Sequence, residues 1–236
     1  MPITELLEQN ARLYPDDVSL VEVNPEVKET RRSTWKEYEL MEPNPATHYR
    51  REITWHVFNE KANRAANMLL SRGVHKGDKV AILLMNCLDW LPLYFGILKA
   101  GAIAVPLNFR YSSDEIAYCL DLAEVDVLFF GPEFIGRVEE IADTISRNRL
   151  LFYVGDSCPS FAEDYIRQAS DCSSRAPEIP LTDEDDAAIY FSSGTTGFPK
   201  AILHKHRSLL HACRVEQNHH QTTREDVFLC IPPLYH

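Results

Sequence analysis

Residues 79–107 read KVAILLMNCLDWLPLYFGILKAGAIAVPL, and the fold turns on this stretch. Residues 79–84 (KVAILL) are apolar without alternation, the pattern of a strand buried on both faces. Residues 88–99 are apolar nearly all round, as a buried helix is. Gly101 then stops the helix, and residues 103–107 (IAVPL) form a second apolar strand. Residues 90–107 also make 18 residues with one charge, Lys99, close to the lower limit for a membrane span. Pro92, Gly101 and Pro106 interrupt that run, and its pattern changes from helical to strand-like at Gly101. A buried helix, a glycine stop and a buried strand account for it better than a span.

The alternation continues downstream. Ser112 and Glu115 have the spacing of a capping box, and Ile116, Ala117, Leu120 and Ala123 follow at helical intervals. Residues 126–130 (DVLFF) are a third strand. Phe134, Val138, Ile141 and Ile145 make a helical stripe, and residues 150–154 are a fourth strand. Apolar strands separated by helices predict an α/β fold, a doubly wound and mostly parallel sheet covered on both faces. Upstream, Phe58, Ala62, Ala65 and Leu69 mark a further helix that ends at Gly73. Residues 24–51 mix charges with Pro25, Pro43 and Pro45 and read as a surface excursion. Thr34-Trp35 there echoes Thr54-Trp55, but the flanks differ, so the echo is read as coincidence. Residues 157–186, rich in Ser, Pro and acid, read as a connection, and residues 227–231 as a last apolar strand.

The chain has 236 residues, 45% hydrophobic and 25% charged, the mixture of a globular protein with a sizeable core. Its net charge of −11 repels phosphodiester backbones and anionic lipid, which argues against a nucleic-acid or membrane partner. A local basic pocket for a small phosphate ligand is compatible with it. The closest two of the six cysteines, Cys158 and Cys172, are 14 residues apart. There is no C-x-x-C and no disulfide framework, so they read as reduced thiols of a cytoplasmic protein. The N-terminus lacks the basic and apolar regions of a signal peptide.

The chemistry is concentrated in residues 187–203, AAIYFSSGTTGFPKAIL. A short apolar strand, residues 187–191, runs straight into Ser192, Ser193, Gly194, Thr195, Thr196, Gly197 and, after Phe198 and Pro199, Lys200. Glycines let a backbone approach a polyphosphate and expose N–H groups. The hydroxyls are short donors, and Lys200 is a compact positive charge. A flexible turn has a similar composition, but would not place a buried strand before and an apolar run after. The Walker loop requires G-K-[ST]. Here Pro199 precedes Lys200 and Ala201 follows it, so the magnesium-binding hydroxyl of a P-loop NTPase is missing.

Residues 192–200 resemble the signature loop of the adenylate-forming enzymes, a family of acyl-CoA synthetases, peptide-synthetase adenylation domains and luciferases. Residues 73–81 (GVHKGDKVA), 98–108 (LKAGAIAVPLN) and 204–210, with His206 on a frequent histidine, are similar to further family segments in the expected order. Residues 233–236 (PLYH) resemble its aromatic-His motif at the acyl pocket. The resemblance implies that a carboxylate attacks the α-phosphate of ATP, giving acyl-AMP and pyrophosphate, and that coenzyme A then takes the acyl group and releases AMP. By the same resemblance Ser192, Ser193, Gly194, Thr195, Thr196, Gly197 and Lys200 would hold the β- and γ-phosphates, Mg2+ would arrive with ATP, and His236 would gate the acyl pocket. Ala201 stands where the family usually has glycine, and the 24–51 excursion exceeds that of typical members. The PLYH motif favours a fatty or aryl acid over an amino acid. An amino-acid adenylation domain and a truncated, non-catalytic nucleotide-binding module are the alternatives. The resemblance further implies that residues 1–236 are the N-terminal part of the large domain, without the C-terminal lid domain, and the stop inside the PLYH motif reads as a cut through a longer enzyme. No catalytic residue is expected within these residues.

Other candidates read as structure. Residues 183–186 (DEDD) are adjacent acids that do not converge on one ion. His204, His206, His219 and His220 lack the partners of a metal site, so no protein-held metal is expected. Trp35, Trp55 and Trp90 read as packing residues, and Cys213 and Cys230 as small apolar residues without the basic surroundings of a nucleophile.

Overall fold

The computed structural model describes residues 1–23, 50–145, 149–192 and 199–235. Helix α1 (Thr4–Leu13) leads to strand β1 (Val18–Val23), which pairs antiparallel with β2 (Arg50–Thr54). Arg50 and Arg51, assigned to the excursion from sequence, therefore belong to β2, where they oppose Val23 and Glu22. The remainder of the excursion, with Thr34 and Trp35, lies outside the described residues. Thr54 ends β2 and starts α2 (Trp55–Ser71), because its hydroxyl accepts the Val57 N–H (3.3 Å).

Beyond α2 the alternating unit forms as expected: β3 (Lys79–Leu83), α3 (Trp90–Lys99), β4 (Ile103–Pro106), α4 (Ser113–Leu122), β5 (Val127–Phe130), α5 (Ile135–Ile145) and β6 (Leu150–Tyr153). Gly101 follows α3 at φ +77°, a backbone that L side chains resist. The capping box at α4 is complete: the Glu115 N–H donates to Ser112 Oγ (3.3 Å), and the Ser112 N–H donates to Glu115 Oε2 (2.8 Å). Then come β7 (Glu163–Asp164), α6 (Tyr165–Ser170), β8 (Asp186–Ser192), β9 (Lys200–Lys205) and α7 (His206–His220). The sheet order is β7-β6-β5-β3-β4-β8-β9, parallel throughout except for β8 with β9.

Residues alternate between two cores. Val80 and Ile82 of β3, with Phe129 and Phe152, face α2 and α3. Ala81 and Leu83, with Leu128, Phe130 and Leu151, face α4 and α5. The cause is topological. The chain steps from β3 to β4 in one direction and from β4 to β5 in the other, and right-handed crossovers then put the connecting helices on opposite faces. Trp55 stacks on Phe58 and Trp90 on Tyr94, as packing residues do.

Lys99 explains how a charge sits inside this layer. It is 3% exposed, and its three ammonium protons meet Glu8 Oε1 (2.8 Å), Asn59 Oδ1 (2.9 Å) and Asn63 Oδ1 (2.9 Å). Burial lowers its pKa, and Glu8 works against that shift. The ammonium thereby ties α1, α2 and α3 together. Among the described residues no helix is long and apolar enough to cross a membrane.

One expectation is corrected. Residues 227–231 do not form a strand: they pair with no described strand, and Val227, Phe228, Leu229 and Ile231 are exposed. Apolar residues become a strand only when a ladder partner satisfies their backbone, and none of the described strands reaches them.

Candidate functional site

Because β3, β4, β5 and β8 run parallel, their carboxyl ends share one edge of the sheet. The connection leaving β3 goes to one face, and those leaving β4 and β5 go to the other. Such a divergence opens a crevice at the carboxyl ends of the strands, the general ligand position in open α/β sheets.

The Ser/Thr/Gly residues join β8 to β9, which pair antiparallel at this edge. Ser192, the last residue of β8, is the Cα partner of Lys200, the first residue of β9. The ladder continues below as Phe191 with Ala201 and Tyr190 with Ile202. The neck of the loop is thus clamped by two paired strands. Ser193, Gly194, Thr195, Thr196 and Gly197 lie outside the described residues. The sequence reading expected the strand before the loop. It took residues 201–203 only as an apolar run, although their Ala-Ile-Leu composition suits an edge strand.

Lys200 stands apart electrostatically. Lys61 pairs with Asp89, Lys76 with Asp185, Lys79 with Glu124, Lys99 with Glu8 and Lys205 with Glu184. Lys200 is exposed and has no carboxylate partner among the described residues. In a chain of net charge −11, an ammonium with no described acid beside it leaves positive charge uncompensated at the neck of the loop. The Ser192 hydroxyl and the Lys200 ammonium both present protons, the chemistry of an anion's partners rather than a cation's.

A second segment docks at the same edge. The Asn86 side chain, just after β3, donates to the Pro232 carbonyl (3.0 Å) and accepts the Leu234 N–H (2.9 Å). Leu234 packs against the core on the α3 face. Tyr235 meets Phe109, beyond β4, edge to face with centroids 5.4 Å apart. Burial raises the Tyr235 hydroxyl pKa, and Arg110 opposes the shift. His236 lies outside the described residues, but its neighbours 232–235 are held at the crevice. Sequence reasoning missed Asn86, whose partners are 146 and 148 residues away. A lone Asn in a loop carries no local signal.

His206 is elsewhere. β9 runs antiparallel to β8, so α7 begins at the amino edge of the sheet, where the His206 N–H donates to Asp185 O (3.1 Å). Its ring is buried, and Nδ1 has no hydrogen-bond partner among the described residues. A shallow cavity of about 520 Å³, lined among others by Arg207, His211 and Arg214, also lies along α7. It is remote from the loop and contributes nothing to that site. Three of the acids of residues 183–186 are engaged by cations: Asp183 by the N-terminal ammonium, Glu184 by Arg207 and Lys205, and Asp185 by Lys76. Among the described residues no three His, Cys, Asp or Glu side chains converge as metal ligands.

A doubly wound sheet whose β8 and β9 pair around a Ser/Thr/Gly sequence at its carboxyl edge is the α/β fold of the adenylate-forming class. The chain belongs to the AMP-binding enzyme family, which matches residues 7–236. It is 32% identical over 194 residues to the crotonobetaine/carnitine–CoA ligase of Citrobacter koseri, covering 79% of this chain and 37% of that protein. It is 33% identical over 170 residues to the 3-hydroxybenzoate–CoA/4-hydroxybenzoate–CoA ligase of Thauera aromatica, covering 72% of this chain and 32% of that one. Among solved structures, ATP-bound MatB from Rhodopseudomonas palustris superposes with a TM-score of 0.69 at 28% identity, covering 79% of this chain and 36% of MatB. The chain therefore spans about a third of the length of the curated relatives it matches.

Proposed function

We propose that these residues are the N-terminal part of the large domain of an ATP-dependent acid–CoA ligase. The observation that carries this reading is Lys200: an ammonium without a described carboxylate partner, fixed opposite Ser192 at the neck of the loop. In this reading Ser192, Ser193, Gly194, Thr195, Thr196, Gly197 and Lys200 hold the β- and γ-phosphates of ATP. They turn the triphosphate so that pyrophosphate leaves in line as the carboxylate oxygen attacks the α-phosphorus. Their contribution is positioning and neutralisation of the charge that grows on the leaving group. Mg2+ arrives with the nucleotide. His236 lines the acyl pocket, and the thiol of coenzyme A takes the acyl group from acyl-AMP, releasing AMP. The CoA ligases among the relatives and the ATP-bound neighbour support this assignment. Six unpaired cysteines support a reducing, cytoplasmic setting.

The test is carboxylate-dependent ATP–pyrophosphate exchange by the full-length protein, with carnitine, crotonobetaine, 4-hydroxybenzoate, hexanoate and laurate as acids. Exchange with at least one acid is expected, and none with any would overturn the reading. Lys200→Ala is expected to slow that exchange by about 100-fold or more, the loss typical of one preorganised charge donor. Unchanged exchange in this variant would remove Lys200 from the phosphate site. AMP release that depends on coenzyme A separates a CoA ligase from an amino-acid adenylation domain.

A further inference from the structure

Residues 232–235 have a backbone problem. Pro232 and Pro233 carry no N–H, so this stretch is poorly equipped to join a sheet ladder. The first N–H after them belongs to Leu234, and it finds Asn86 Oδ1 at 2.9 Å, while Asn86 Nδ2 reaches back to the Pro232 carbonyl at 3.0 Å. One side-chain amide thus donates and accepts across three residues of backbone, as a neighbouring strand would. A carboxamide offers a donor and an acceptor side by side in one plane, as a peptide group does.

The loop that carries Asn86 is itself braced. The Leu88 N–H donates to Glu22 Oε2 (2.9 Å), and Arg51 grips both oxygens of the same carboxylate at 3.1 Å. Asp89 is held by Lys61 of α2. The β1–β2 hairpin and α2 therefore fix the loop, and the loop fixes residues 232–235 through Asn86. Two apolar contacts, Leu234 on the core and Tyr235 on Phe109, hold the segment in place without setting its register along the chain.

We propose that Asn86 is a positioning residue: it sets the register of residues 232–235, the segment that leads into the acyl-pocket residue of the proposed function. The proposal rests on the assignment of His236 under the proposed function. Its structural half and its functional half can be tested separately.

In the 236-residue chain, Asn86→Ala is expected to speed amide exchange at Leu234 by about tenfold, the release of one hydrogen bond. Exchange at Phe129 and Phe152, in the central ladder, is expected to stay as in the wild type. Unchanged protection at Leu234 would overturn the latch. In the full-length protein, Asn86→Ala is expected to raise KM for whichever acid of the panel is turned over and to leave KM for ATP unchanged. Asn86→Asp, which keeps the acceptor and loses the donor, is expected not to restore the wild-type value. Combining Asn86→Ala with His236→Ala is expected to add little to His236→Ala alone, since coupled residues are not additive. Equal shifts in both KM values, or none, would overturn the positioning role. If the wild type exchanges with no acid, the ligase reading fails, and Leu234 exchange still decides the latch.

Discussion

His206 shows what one residue can hide from a sequence reading. The sequence aligns it on a frequent family histidine without giving it a place, and the fold seats it at the start of α7, at the edge opposite the loop. Burial lowers its pKa below the ordinary 6.5; Asp185 and Asp183 pull upward, and Lys76 adds to the lowering. A group whose folded pKa is depressed binds fewer protons in the folded state, so stability rises with pH across the gap. His206 therefore contributes fully above pH 6.5, and that contribution is lost as pH falls below 6.5 towards the folded value. The wild-type urea midpoint should drop more steeply between pH 6.5 and 5 than that of His206→Leu. Parallel curves would show that burial of the imidazole does not govern this window. Ser192 and Lys200 could be singled out from the sequence because their signal is local: a strand, a donor-rich run and a lysine within one short stretch, whose two ends the structure pairs. Asn86 and His206 were not, because burial and long-range partners define them.

At the scale of elements the sheet was legible for a reason found in every strand from β3 to β6. Each is apolar on both faces, and each face meets a helix. β9 was harder, since its Ala201, Ile202 and Leu203 are exposed and only its pairing with β8 makes it a strand. The α2–α3 crossing was legible as two helices but not as a close contact. Gly96 of α3 lies against α2, so that a Cβ there would stand 2.5 Å from Ala65 Cβ and 2.9 Å from the Ala62 carbonyl oxygen. Backbone cannot swing aside as a flexible side chain does. Gly96→Ala should lower stability by about 1–3 kcal/mol, the usual cost of overpacking a core. Gly136, at the start of α5, meets nothing within 4 Å, and Gly136→Ala should be neutral or stabilising by up to about 1 kcal/mol. Urea titration of the two variants checks the contrast. A tolerated Gly96→Ala would mean that the two helices can separate without cost.

For the molecule as a whole, composition gave the sum of charges but not their placement. The cations are the group most fully engaged: five described lysines have carboxylate partners, and Lys200 has none among the described residues. Apolar surface is distributed just as unevenly. Most large side chains of the sheet are buried, yet Val227, Phe228, Leu229 and Ile231 are 96%, 85%, 75% and 79% exposed in one unpaired stretch. An exposed apolar run that pairs with no described strand can pair with another copy. Its exposure also means that the described fold gains nothing from those side chains. Replacing Phe228 and Leu229 together by Ser should therefore reduce concentration-dependent association of the 236-residue chain, read by light scattering. The same change should alter unfolding free energy by no more than about 0.5 kcal/mol, as for surface substitutions. Lost stability would show that these residues pack on the fold in solution. Unchanged association would place the self-adhesive surface elsewhere, with the exposed Ile202 and Leu203 on the β9 edge as the next surface to alter.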